Sequence, residues 1–144
     1  MDITRGGGYL QRNQKSITYT GAAGAGLAAS PVTIFTVTGE ILVVAIVPFC
    51  TTLLTESGAT ATIALGITGS TSLFVAATDA VEIDANEFWI DATPDAAGVA
   101  LPAGLKDIVI TADIINTIAV ANVNAGVIRY SLYWMPLSDD AAVS

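Results

Sequence analysis

Alternation of apolar and polar positions with a period of two runs through much of this chain. In the C-terminal third Ile128, Tyr130, Leu132 and Trp134 share one face, while Val127, Arg129, Ser131 and Tyr133 share the other. That is the repeat of a strand with one side on a core. Residues 60–66 alternate in the same way, with Ala61, Ile63 and Leu65 on one face, and 105–113 place Ile108, Ile110 and Ala112 together. Residues 117–123 and 127–135 flank Asn124-Ala125-Gly126, a short glycine-containing segment of the kind that closes hairpins. Shorter strands are expected at 17–20, at 32–38 before the turn Gly39-Glu40, and at 72–76 after a loop at 66–70.

One segment breaks the pattern. Residues 41–47 are continuously apolar and β-branched. A strand of this composition is expected to be buried on both faces, one against its own core and the other against a second layer or another subunit. This makes Ile41 and Val43 candidate contact residues.

Turn signals every 8 to 15 residues between short strands predict an all-β domain, a β-sandwich of jelly-roll-like form or a barrel. Composition agrees: Val, Ile and Thr fill 45 of the 144 positions, and branched side chains suit a pleated sheet. A short helical turn is expected only within 79–91. Residues 1–16, with Gly6-Gly7-Gly8 and no periodicity, read as an extended N-terminal arm. The β domain then covers 17–138, and 139–144 is a small polar tail.

Charge changes the picture in two ways. Only 12% of residues are charged, although 53% are hydrophobic, so part of the surface is expected to meet protein rather than water. The net charge of −8 argues against nucleic acid as a partner. Three of the five basic residues, Arg5, Arg12 and Lys15, fall in the first fifteen positions. That arm is a candidate for crossing to a neighbouring subunit or an acidic surface. On the last strand Arg129 and Tyr133 occupy the face away from the core and complete the candidate contact set. Residues 1–15 contain no apolar signal-peptide core, and the longest apolar run, 41–50, is too short for a bilayer span. The expectation is a soluble product made in a cytoplasm, with no membrane partner.

Catalytic chemistry has little to work with. The chain has no histidine and one cysteine, Cys50, in an apolar setting. The usual serine or cysteine triads, most zinc sites and thiolate clusters are thereby excluded. No glycine-rich segment leads into Lys-Ser or Lys-Thr, and 21–26 has the wrong glycine offsets for a dinucleotide fingerprint. The densest carboxylates, Asp79, Glu82, Asp84, Glu87, Asp91 and Asp95, match no EF-hand spacing. They read as a solvated loop, with calcium the alternative. No catalytic, cofactor or metal residue is assigned. Trp89 and Tyr133 are the aromatic positions considered for stacking on a sugar.

Two stretches carry a resemblance. From 37 to 91 the chain runs Val-Thr-Gly-Glu-Ile-Leu-Val-Val-Ala-Ile-Val-Pro, through Ile-Ala-Leu-Gly-Ile-Thr-Gly-Ser-Thr, to Phe-Trp-Ile-Asp. Residues 124–138 read Asn-Ala-Gly-Val-Ile-Arg-Tyr-Ser-Leu-Tyr-Trp-Met-Pro-Leu-Ser. Together they resemble small all-β virion proteins of tailed bacteriophages, most of all the capsid decoration, or cement, class. The resemblance implies a non-enzymatic, often trimeric protein on the capsid surface that bridges neighbouring copies of the major capsid protein. The alternative within the virion is a tail, baseplate or fibre module binding protein or host glycan.

Overall fold

The computed structural model describes residues 10–144, and strands make up 59% of the chain. The order is β1 (Gln11–Thr18), β2 (Val32–Phe35), β3 (Val37–Thr38), β4 (Ile41–Glu56), β5 (Thr62–Ile67), β6 (Ser70–Asp79), β7 (Glu87–Phe88), β8 (Lys106–Ile110), β9 (Ile114–Ala119), β10 (Val123–Pro136) and β11 (Ala142–Val143). Pairing is antiparallel throughout. The first sheet runs β1-β10-β4-β7, with β8 also on β4, and the second runs β2-β9-β5-β6; β3 and β11 form a small third ladder. The fold is all-β, and the inner faces of the two large sheets share one apolar core.

The first sheet is organised by β4, which pairs with β10 along one side and with β8 and then β7 along the other. Its sixteen residues continue through Pro48, a residue that normally ends a central strand because it has no N–H. Here the carbonyl of Pro48 accepts a bond from the Trp89 N–H at 3.1 Å, on the side away from β10. The N and O of one strand residue point the same way. The missing donor therefore falls where β8 has ended and β7 begins, and no bond to β10 is lost.

A bulge decides which of the uniformly apolar residues 41–47 face inward. Tyr133 pairs with Ala45 and the adjacent Trp134 with Val43, so β4 carries one extra residue at Val44. The extra residue turns Val44 and Ala45 to the same side and resets the phase. Ile41, Val43 and Ile46 are fully buried, and Leu42, Val44, Ala45 and Val47 are half-buried on the opposite face.

Inside, the apolar core is interrupted by one polar triangle. The hydroxyls of Tyr19 and Tyr130 lie 2.8 Å apart, and each reaches Asn116 Oδ1, at 2.5 and 2.9 Å. Asn116 Nδ2 donates to the Ala64 carbonyl at 3.2 Å. Two hydroxyl protons serve three short edges, so only two edges are hydrogen-bonded at once. The triangle joins β10 of the first sheet to β9 and β5 of the second, and ties in the chain just past β1. A second buried polar contact, Trp89 Nε1 to Thr78 Oγ1 at 2.9 Å, links the segment after β7 to β6.

Four expectations are corrected. The extended arm does not reach residue 16, because Gln11–Thr18 pairs with β10 from Gln11↔Trp134 to Thr18↔Val127; the shorter strand expected at 17–20 is the end of it. Period-two burial was invisible there because an edge strand with mostly exposed side chains has none. The expected hairpin at Asn124-Ala125-Gly126 is not a turn: β9 and β10 lie in different sheets, and these residues sit within β10 against Thr55 and Glu56. Gly126 serves close approach at φ +112°, where a Cβ would lie 2.6 Å from the Leu53 carbonyl. The loop expected at 66–70 is a two-residue connection, Thr68-Gly69, between β5 and β6. Finally, the tail forms β11, with Ser144 and Thr36 exchanging backbone bonds at 2.8 and 3.0 Å.

The triangle makes a graded prediction. Asn116→Ala leaves two buried hydroxyls and the Ala64 carbonyl short of a partner and is expected to cost about 3 kcal/mol. Tyr19→Phe leaves the Tyr130–Asn116 bond in place and is expected to cost about 1 kcal/mol. Urea denaturation of the two variants checks the order; equal losses would show that the amide is not the hub.

Candidate functional site

The outward side of the first sheet is built from cross-strand rows. Met135, Leu42 and Val109 form one row across β10, β4 and β8, and Arg12, Tyr133 and Ala45 form the next across β1, β10 and β4. Then come Gln14, Ser131 and Val47, and after them Ser16, Arg129, Phe49 and Phe88. Gln14 Nε2 donates to Ser131 Oγ at 2.9 Å. Phe49 and Phe88 pack with ring centroids 4.9 Å apart. The Arg129 guanidinium lies 5.1 Å over the Phe49 ring, an attraction between a cation and an aromatic face.

Beside this face the chain after β7 folds into a wall. Val47, Phe88, Gly98, Val99 and Leu101 line a cleft of about 270 Å³ with almost no polar surface. The acidic stretch shapes this region. Asp79 Oδ1 accepts from the Val81 N–H and starts a 3₁₀ turn at Ala80–Glu82. Glu87 accepts from the Asp84 N–H, Asp91 from the N–H and hydroxyl of Thr93, and Asp95 from the Ala97 N–H. These are local turn-forming bonds. Among the described residues no three acidic or cysteine side chains converge on a point where a metal ion would sit.

The predicted contact residues divide clearly. Arg12, Arg129 and Tyr133 come together on the outward face. Lys15 does not: its register partner is Tyr130 of the inner face, and its ammonium lies 5.7 Å from the Phe35 ring, over the seam between the sheets. Ile41 and Val43 are corrected, since both are wholly buried in the core and unable to touch a partner. The bulge puts Leu42, Val44, Ala45 and Val47 outward in their place. Arg5 lies outside the described residues. Trp89 is also corrected as a sugar platform, because it is fully buried, whereas Tyr133 is 37% exposed. Tyr130 and Trp134 are core residues, as their alternation implies.

Sequence reasoning missed Phe49, Phe88, Val99 and Leu101. Phe49 lies two positions past the expected strand end, beyond Pro48, and Phe88 belongs to a strand of two residues, too short for any period. Val99 and Leu101 are brought to β4 by the acidic turns, which no periodicity signals. The described residues contain no helix long and apolar enough to cross a membrane. No family model matches the chain, and no curated protein or solved structure matches it.

Cys50, the one nucleophilic side chain of note, faces inward beneath this sheet. Burial pushes its thiol up to about 11, and burial likewise raises Tyr19 and Tyr130. Each group is held in its protonated form by the fold. The unfolded thiol ionises near 9, so its contribution to stability is complete below pH 9 and is lost as pH rises to 11. The loss over that window is expected to be about 2–3 kcal/mol, with the tyrosines adding to it above pH 10. Urea midpoints measured from pH 7 to 11 should fall accordingly, and Cys50→Ala should flatten the first part of the slope. At pH 8 iodoacetamide should leave the native thiol unmodified and alkylate it only after unfolding.

Proposed function

We propose that this chain is a non-enzymatic structural protein of a virus particle, a decoration protein of the capsid surface. In this reading the outward face of the first sheet lies on the major capsid protein and bridges neighbouring subunits. The observation that carries it is the make-up of that face. It is a broad, regular surface of Leu42, Ala45, Val47, Phe49, Met135 and Tyr133. The strands β1 and β10, and β4 as far as Thr55, contribute no carboxylate to it, although the chain has a net charge of −8. A face so apolar along β1, β10 and β4, with Asp95 beside Phe88 at its margin, suits burial against another protein. It offers no assembled nucleophile, base or metal ligands that would suit turnover.

The resemblance over 37–91 and 124–138 supports the same reading and supplies its virion context. Decoration needs only modest affinity per copy, because a shell presents many equivalent sites and a subunit bridging two of them gains from both. Self-association into a homotrimer belongs to this proposal as the means of presenting several faces at once.

Quantitative mass spectrometry of purified particles tests it, with an expected copy number of the same order as the major capsid protein. A few copies per particle, located at the tail, would replace this reading with a tail or baseplate module. Tyr133→Asp should lower occupancy on stripped and re-decorated shells by about tenfold or more. Its unfolding free energy in urea should change by less than about 0.5 kcal/mol, because the side chain is on the surface.

A further inference from the structure

Arg129 and an apolar cleft lie near each other on the outward side of the first sheet. The cleft walls are Val47, Phe88, Gly98, Val99 and Leu101. None of these side chains offers a hydrogen bond to orient a polar ligand. Its volume of about 270 Å³ lies below the range of roughly 300–1,000 Å³ typical of sites that enclose a whole small molecule. An apolar side chain inserted from another surface fits it better.

The second part is electrostatic. Phe88 is both a wall of the cleft and the tilted-ring neighbour of Phe49, and Phe49 carries the Arg129 guanidinium. The cation is thus one ring away from the cleft. Arg129 Nε is shielded from solvent and has no hydrogen-bond partner among the described residues. Burying that N–H unpaired is costly. The rest of the half-buried guanidinium has N–H groups whose best geometric match is a carboxylate. Arg12, two rows away on the same face, extends the positive field; β1, β10 and β4 as far as Thr55 carry no acid, and Asp95, beside Phe88, is separated from Arg129 by the two phenylalanines.

We infer that the outward face binds an acidic segment of a different protein, which places one large apolar side chain in the cleft and a neighbouring carboxylate on Arg129. This rests on reading the face as the docking surface and names the chemistry of the partner's half. It predicts that the bound segment carries an Asp or Glu within about three positions of a Leu, Ile, Met or Phe.

Selection of random heptapeptides displayed against the immobilised full chain tests the rule without knowledge of the partner. Enriched peptides should pair a large apolar residue with a nearby carboxylate, and synthetic copies should bind in fluorescence anisotropy more weakly as salt is raised. Arg129→Gln should weaken them about tenfold or more, and Val99→Trp, which fills the cleft from an exposed position, should do the same. Arg129→Lys should bind in between, keeping the charge but losing the planar fork. Several results would overturn the inference: no enrichment over the blank surface, peptides without carboxylates, or equal binding by Arg129→Gln with a wild-type urea midpoint. Concentration-dependent self-association abolished by Arg129→Gln would overturn it in favour of a second copy of the chain. If the peptide rule holds and the protein is absent from shells, only the virion reading fails. If the protein decorates shells and the rule fails, only this inference does.

Discussion

Two tyrosine hydroxyls and one asparagine amide meet between the two sheets in an interior that is mostly apolar. Apolar packing rewards burial but is tolerant of sliding, since a strand displaced by two residues still buries the same face. A hydroxyl that must find an acceptor away from water is not tolerant. Tyr130 reaches Asn116 only when β10 and β9 face each other in a single register, and Tyr19 joins them only when the chain leaves β1 at the right height. The triangle therefore fixes which rows of the first sheet lie over which rows of the second. The outward rows inherit that order, since each strand residue facing in determines the neighbour facing out.

The make-up of the outward face follows from this and from the phase change in β4. Without the extra residue at Val44, the strand would carry its alternation through unbroken, and either the inward set before the bulge or the one after it would point at solvent. With it, Ile41, Val43 and Ile46 all reach the core, while Leu42, Ala45 and Val47 form a continuous exterior with Tyr133 and Ser131. Phe49 and Phe88 then close the far end of that exterior and bring Arg129 next to the cleft. An apolar surface with an oriented cation at its margin is thus the product of one irregularity in one strand.

Much of the fold was legible from period two alone. In β10 the inward set Ile128, Tyr130, Leu132 and Trp134 and the outward set Arg129, Ser131 and Tyr133 separate by parity, and parity is what the strand obeys. Where the backbone departs from regular pairing, parity misleads. It could not choose which of Ile41 to Val47 faces in, because the bulge changes phase inside a run with no polar residue to show it. It could not see that Gly126 lies within a strand, because a glycine needed for close approach and a glycine needed for a turn look alike in sequence. Strand β1 was hidden for the opposite reason: its ladder to β10 is made of backbone bonds, and its polar, exposed side chains record nothing of them. Of the candidate site, Arg12, Arg129 and Tyr133 were visible as charge or aromaticity on an outward face. The cleft was not, since turns held by Asp91 and Asp95 assemble it from residues far apart in the chain.

The small ladder of β3 and β11 has a topological consequence. Asn13 accepts from the Trp134 indole at 2.8 Å and donates to the carbonyl of Val143 at 3.1 Å. One side chain near the start of the described chain thereby holds a residue next to its end. From Gln11 to Ser144 the described path is nearly a closed circle, and it closes next to the row of Leu42 and Met135. A short linker from Gln11 to Ser144 would therefore close the described path without crossing the body of the protein.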